Sequence, residues 1–157
     1  MAKYKELFVP ADIAKALAEK GFNWTCKAEW VVYRNGKASL ATCGSNLQHD
    51  FCTNVDLRHY NDDEQTFYAA PTIQMVVQWL YEEHELFLTV TPDINDHLCF
   101  YAEVYRKDIG PEGVDSTWEE VAVQDLNDPL FEPCKQFWDD PKEASLYLIR
   151  LCLKHLV

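Results

Sequence analysis

The chain has 157 residues, 26 of them acidic against 14 basic, for a formal charge of −12. A surface of that sign repels a phosphate backbone, so nucleic acid is not an expected partner. No stretch approaches the roughly 18 uninterrupted apolar residues of a membrane span, so no membrane partner is expected either. The length suits one domain, 1–157, able to bury about 70% of its unfolded surface without disulfides or metal.

The N-terminal run MAKYKELFVPADIAK lacks the apolar core of an export signal, which leads us to expect a cytoplasmic protein with its six cysteines reduced. Pro10 suits the first turn of a helix through ADIAKALAEKG, with Ile13, Ala14 and Leu17 along one side. Gly21 can close that helix in the left-handed conformation, and Phe22 can fold back on its last turn. The runs 29–34 (EWVVYR) and 37–42 (KASLAT) flank Asn35-Gly36, a strong signal for a hairpin. From Cys43 to Ala69 no period is sustained and Asn and Asp recur, so a long loop is predicted.

The best-formed stretch is Ala70 to His84. Pro71 fits its first helical position, and Ile73, Val76, Val77 and Leu80 make one apolar stripe flanked by Met75 and Trp79. A strand, LFLTVT from Leu86 to Thr91, follows at once, and the turn-rich 92–96 links it to LCFYAEVYRK, Leu98 to Lys107. In that second strand Phe100, Ala102 and Val104 should face a core, while Tyr101, Glu103 and Tyr105 should be partly wet. Asp108 to Asp140 is an acidic insertion of ten carboxylates against the single cation Lys135. Within it Ser116 and Glu119 fit a capping box for a short helix over Ser116–Leu126. Pro141 to Leu156 closes the chain as a helix with Ala144, Leu148, Leu151 and Cys152 on one stripe. The expected fold is α+β in the order α-ββ-α-ββ-α, its two hairpins forming one antiparallel sheet with the helices in a single layer on one face.

Three segments carry a resemblance: FVPADIAKALAEKGFNWTC at Phe8 to Cys26, APTIQMVVQWLYEEHELFLTV at Ala70 to Val90, and the closing DDPKEASLYLIRLCLKHL. Together they resemble a family of small uncharacterised proteins of Bacteroides-type gut bacteria and their phages. The likeness covers roughly half the chain and implies a fold and a genomic context, with no assigned activity. The 43–69 loop and the 108–140 stretch look longer than the family pattern, so a special function would sit there.

Two constellations could carry function. Cys43, His49, Cys52 and His59 offer thiolate and imidazole, the ligands of a tetrahedral zinc, although only His49 and Cys52 have the usual short spacing. The plainer reading has both cysteines packed and both histidines solvated, with no cofactor bound. Glu82-Glu83-His84 cannot converge on one atom from a helix, Cys99 beside His97 has no local catalytic signature, and single scattered glycines make no phosphate loop. The second constellation sets Trp118, Glu119, Glu120, Phe137 and Trp138 together in the acidic stretch, where aromatics among carboxylates can anchor a partner protein's basic surface. The sequence therefore favours a non-enzymatic protein-interaction module, with a metal-binding or thiol-dependent enzyme built in the 43–69 loop as the alternative.

Overall fold

The fold is that of a computed structural model, which describes residues 7–43, 50–93, 99–109, 116–121 and 138–157. It is α+β, and the chain divides into two compact units, 1–75 and 76–157.

In the first unit, helix α1 (Ala11–Glu19) starts after Pro10, which stands at the N-cap and not inside the first turn. Ile13, Ala14, Leu17 and Ala18 are its buried side. Gly21 ends it with φ +88, and the Phe22 and Gly21 amides donate to the carbonyls of Leu17 and Ala18 at 2.9 and 3.3 Å. This closure requires a left-handed residue, which glycine adopts without strain. Strands β1 (Ala28–Tyr33) and β2 (Ala38–Thr42) form the expected hairpin. Its loop is Arg34-Asn35-Gly36, with only Gly36 at positive φ, so a three-residue turn with a glycine bulge replaces the two-residue form.

The predicted 43–69 loop is instead largely ordered structure among its described residues. Thr53 caps helix α2 (Asn54–Leu57) by accepting from the Asp56 amide, a 3-10 turn follows over Arg58–Tyr60, and β3 (Gln65–Ala69) pairs with β1 on the edge away from β2. The residues that looked like interruptions are what fold it. Asp62 Oδ1 accepts from the Glu64 and Gln65 amides, and Asn61 Oδ1 accepts from Phe67. Asn54, 3% exposed, donates to the Phe22 carbonyl at 2.7 Å and accepts from the Ala69 amide at 2.9 Å. One side chain thus ties the exit of α1 to the end of β3. A small core gathers Phe8, Ala28 and Ala70 with Trp30 and Leu40 against it, and the Trp30 indole donates to the Val9 carbonyl at 2.9 Å.

Helix α3 (Ile73–His84) begins two residues later than Pro71, after Thr72, whose hydroxyl accepts from the Met75 amide. Val76, Trp79 and Leu80 are fully buried, while Ile73 and Val77 are half-buried, so the stripe is centred on Trp79's side of the expected one. Glu85 follows at φ +54, a left-handed residue that turns helix directly into strand.

The second unit holds β4 (Leu86–Asp93), β5 (Cys99–Ile109) and β6 (Ser116–Glu120), antiparallel in that order. Ser116–Glu120 is therefore strand where a helix was predicted. The capping pattern is local, and pairing with β5 outweighs it once Trp118 and the alternation around it have a sheet to join. Helix α4 (Pro141–His155) starts as expected, with Asp140 accepting from the Lys142 amide at 2.8 Å and Pro141 at the first position. It packs on β4 and β5, over the face that carries Leu86, Leu88 and Val104.

The single expected sheet is two three-stranded sheets. β1 spends one edge on β2 and the other on β3, and β5 sits between β4 and β6, so neither central strand has an edge left for the other hairpin.

Replacing Asn54 with Ala strands a buried carbonyl and a buried amide, each costing about 1–3 kcal/mol. Urea unfolding of Asn54→Ala is expected to show a loss of about 2–4 kcal/mol; a loss below about 0.5 kcal/mol would show that the tie carries no stability.

Candidate functional site

The second sheet has two unlike faces. Strand alternation puts Leu86, Leu88 and Val104 against α4 and leaves Phe87, Thr89 and Thr91 of β4 beside Tyr105, Glu103 and Tyr101 of β5 on the other side. Trp118 on β6 is opposite Lys107, and Glu120 is opposite Tyr105, so both join that outer face. Tyr81, on the last turn of α3, completes it.

Three rings meet there. Tyr81 stacks on Trp118 with centroids 5.7 Å apart and planes at 18°, Phe87 meets Tyr81 edge-on at 6.1 Å, and Phe87 lies 5.9 Å from Trp118. Tyr81, Phe87 and Trp118 are nevertheless 49, 43 and 41% exposed, so their mutual packing leaves much apolar surface wet. They line an open cleft of about 580 Å³ together with Thr89, Thr91, Glu103 and Tyr105. Glu103 lies on its floor and accepts from the Thr89 and Tyr105 hydroxyls at 3.3 and 3.2 Å. Burial, then the Glu103 charge and hydrogen bond, and then Glu120 push the Tyr105 phenol up, which marks the cleft as a place of negative potential. Lys107, opposite Trp118, is engaged by Glu85 at 3.5 Å.

The residues singled out for partner binding therefore part company. Trp118 and Glu120 belong to the cleft face, while Glu119, opposite Arg106, falls on the other face. Trp138 exchanges backbone hydrogen bonds with Phe100 and packs on Tyr147 of α4 at 4.8 Å, a structural role. Phe137 lies outside the described residues. Tyr81, Phe87 and Glu103 were missed; the wet alternation read in β5 was the available signal for the face, but nothing in the sequence joins it to Tyr81.

A second cluster lies in the first unit. Cys26 and Cys52 exchange backbone hydrogen bonds at 2.8 and 2.9 Å, and the Cys43 amide donates to Lys27, so three cysteines converge at the entry to β1. The Cys43 and Cys52 sulfurs are 2.6 Å apart. Glu29 of β1 joins them, its carboxylate and the two sulfurs all within 4.8 Å of one another. Glu29 is 1% exposed and, among the described residues, neither of its carboxylate oxygens has a hydrogen-bond partner. Burial raises its pKa above the ordinary carboxyl value. Cys52 is buried while Cys43 is half-exposed. Either thiol could donate to the other, but the charge is cheaper on the more exposed sulfur. Hydrogen bonding from Cys52 accordingly holds Cys43 below the usual thiol pKa, against burial and the Glu29 charge, while the same bond and burial push Cys52 up. Burial, then the Cys43 charge, pushes Cys26 up to about 12.

Of the four residues put forward for zinc, Cys43 and Cys52 are brought together. His59 is exposed on the 3-10 turn and is not in the group, and His49 lies outside the described residues. Two thiolates sharing one tetrahedral zinc at about 2.3 Å stand roughly 3.8 Å apart, wider than this pair. Glu29 was not foreseen, although a glutamate inside the strand-like EWVVYR was its one visible mark. Comparison with protein-family models, with curated proteins and with solved structures finds no match to this chain.

A carboxyl whose folded pKa is raised stabilises the fold fully below its unfolded value near 4.5, and that contribution is lost as pH rises through the folded value. Glu29→Gln cannot ionise, so denaturant unfolding across the acid range should show the variant gaining on the parent chain as pH climbs. Parallel stability curves would mean that the Glu29 carboxylate is not desolvated.

Proposed function

We propose that this chain is a non-enzymatic protein-interaction module whose outer sheet face holds a lysine or arginine side chain from a basic segment of another protein. The observation that carries the reading is the cleft itself, three partly exposed aromatic rings over a carboxylate floor. A cation over such rings gains about 0.5–2 kcal/mol, and tyrosine and tryptophan surfaces supply contact area at small entropic cost. Glu103 and Glu120 supply the opposite charge at short range, and the net charge of −12 steers a basic partner toward the chain from further away. A phosphate backbone meets the same field as repulsion, so nucleic acid is not proposed as a partner. The cytoplasmic location belongs to this reading too, in keeping with five described cysteines that are all free thiols. The family resemblance supplies no activity.

Calorimetric titration with short peptides tests the proposal. Lysine- or arginine-bearing peptides should bind with an affinity that falls as salt is added, and their neutral and acidic counterparts should not. Trp118→Ala should weaken binding about tenfold to a hundredfold, equivalent to about 1.4–2.8 kcal/mol, and Glu103→Gln should weaken it less while reducing the salt dependence. Both variants should keep the parent's circular dichroism. Basic peptides that fail to bind, or that bind Trp118→Ala as well as the parent chain, would sink the proposal.

A further inference from the structure

We propose that Cys43 and Cys52 form a dithiol that exchanges with a small external disulfide, Cys43 as the attacking sulfur, Cys52 as the resolving one and Glu29 as the acceptor of the Cys52 proton. Three features of the cluster carry this. The two sulfurs are side by side in direct contact. Their surroundings are unequal, since Cys43 reaches solvent and Cys52 does not. The Glu29 carboxylate is buried with no hydrogen-bond partner among the described residues and lies within 4.8 Å of both sulfurs. A structural role leaves that last feature unexplained, because an orphaned buried carboxyl only costs stability.

The chemistry balances with a disulfide RSSR as oxidant. The Cys43 thiolate attacks one sulfur of RSSR, forming a Cys43–SR bond and releasing RS⁻. The Cys52 thiol gives its proton to the Glu29 carboxylate, and its sulfur attacks Cys43, closing Cys43–Cys52 and releasing a second RS⁻. Two protons, one from the initial Cys43 thiol and one passed on from Glu29, convert both RS⁻ to RSH. The chain is oxidised by two electrons and RSSR is reduced by two. Burial suits Glu29 to this, since a carboxyl with a raised pKa takes a thiol proton more readily than a solvated one. Among the described residues the titratable groups beside it are Cys43 and Cys52, with Cys26 next to those two sulfurs. Cys26 hydrogen-bonds the Trp24 carbonyl at 3.5 Å and stays out of the exchange as a buried thiol. Lys27 is drawn aside over the Phe51 ring.

The test mixes the full reduced chain with glutathione disulfide and follows intact mass and digests. The parent chain should lose two hydrogens and yield a Cys43–Cys52 linked peptide, and brief alkylation before oxidation should label Cys43 first. Cys52→Ser should stop at a Cys43–glutathione adduct, and Cys43→Ser should give neither product. Glu29→Gln should convert adduct to internal disulfide about a hundredfold more slowly near neutral pH, the gap narrowing as alkali ionises Cys52 directly. Glutathione spread evenly over Cys26, Cys99 and Cys152, or no Cys43–Cys52 link, would overturn the proposal. So would native mass spectrometry showing one retained zinc that leaves both sulfurs unreactive. Because these readings come first from the parent chain, a serine variant that fails to fold leaves them intact. An equal rate for Glu29→Gln at every pH would remove Glu29 from the step.

Discussion

The first unit depends on a single buried amide. Asn54 satisfies one backbone group from the exit of α1 and one from the end of β3, in a place where water cannot reach either. It adds to the β1–β3 ladder and the Cys26–Cys52 bridge in holding the chain from Cys52 to Ala69 against the hairpin. That placement also determines where Cys52 falls. Cys52 precedes the cap of α2 by one residue and pairs with Cys26, so the tie that orders the segment also delivers a thiol to the neighbourhood of Glu29.

The two sites follow opposite physical rules. The cleft in the second unit exists because a sheet packed on one face by α4 must present its alternate residues to solvent, and here those residues are aromatic and acidic. Nothing is strained, and the surface is left over from building the core. The thiol cluster is the reverse case. A buried carboxylate with no hydrogen bond among the described residues opposes folding, so its presence beside two thiols asks for a reason other than stability.

Much of the fold was legible in the residues. Helices at Ala11–Glu19, Ile73–His84 and Pro141–His155 follow from apolar periodicity and first-turn or capping residues, and Asn35-Gly36 marked the first hairpin. Such signals are local, and local signals survive tertiary context. What the sequence hid was pairing at a distance. Asn54, Asn61 and Asp62 look like loop residues because their side chains bind backbone groups, and only the fold reveals that those groups belong to β3 and Phe22. Ser116–Glu120 carried a helix cap and became a strand through contact with β5. The sites show the same division: Trp118 and the pair Cys43 and Cys52 were marked by residue type, but Tyr81, Phe87 and Glu29 acquire meaning only from what folds beside them.

Among the described residues β6 is paired on one side only. Two adjacent glutamates, Glu119 and Glu120, stand along this strand, one toward each side of the sheet. A second copy pairing there with its own Glu119 and Glu120 opposite would set two carboxylates together on each face of the sheet, and that repulsion opposes the union. Acidic residues along a border are one way in which a sheet is blunted against edge-to-edge pairing.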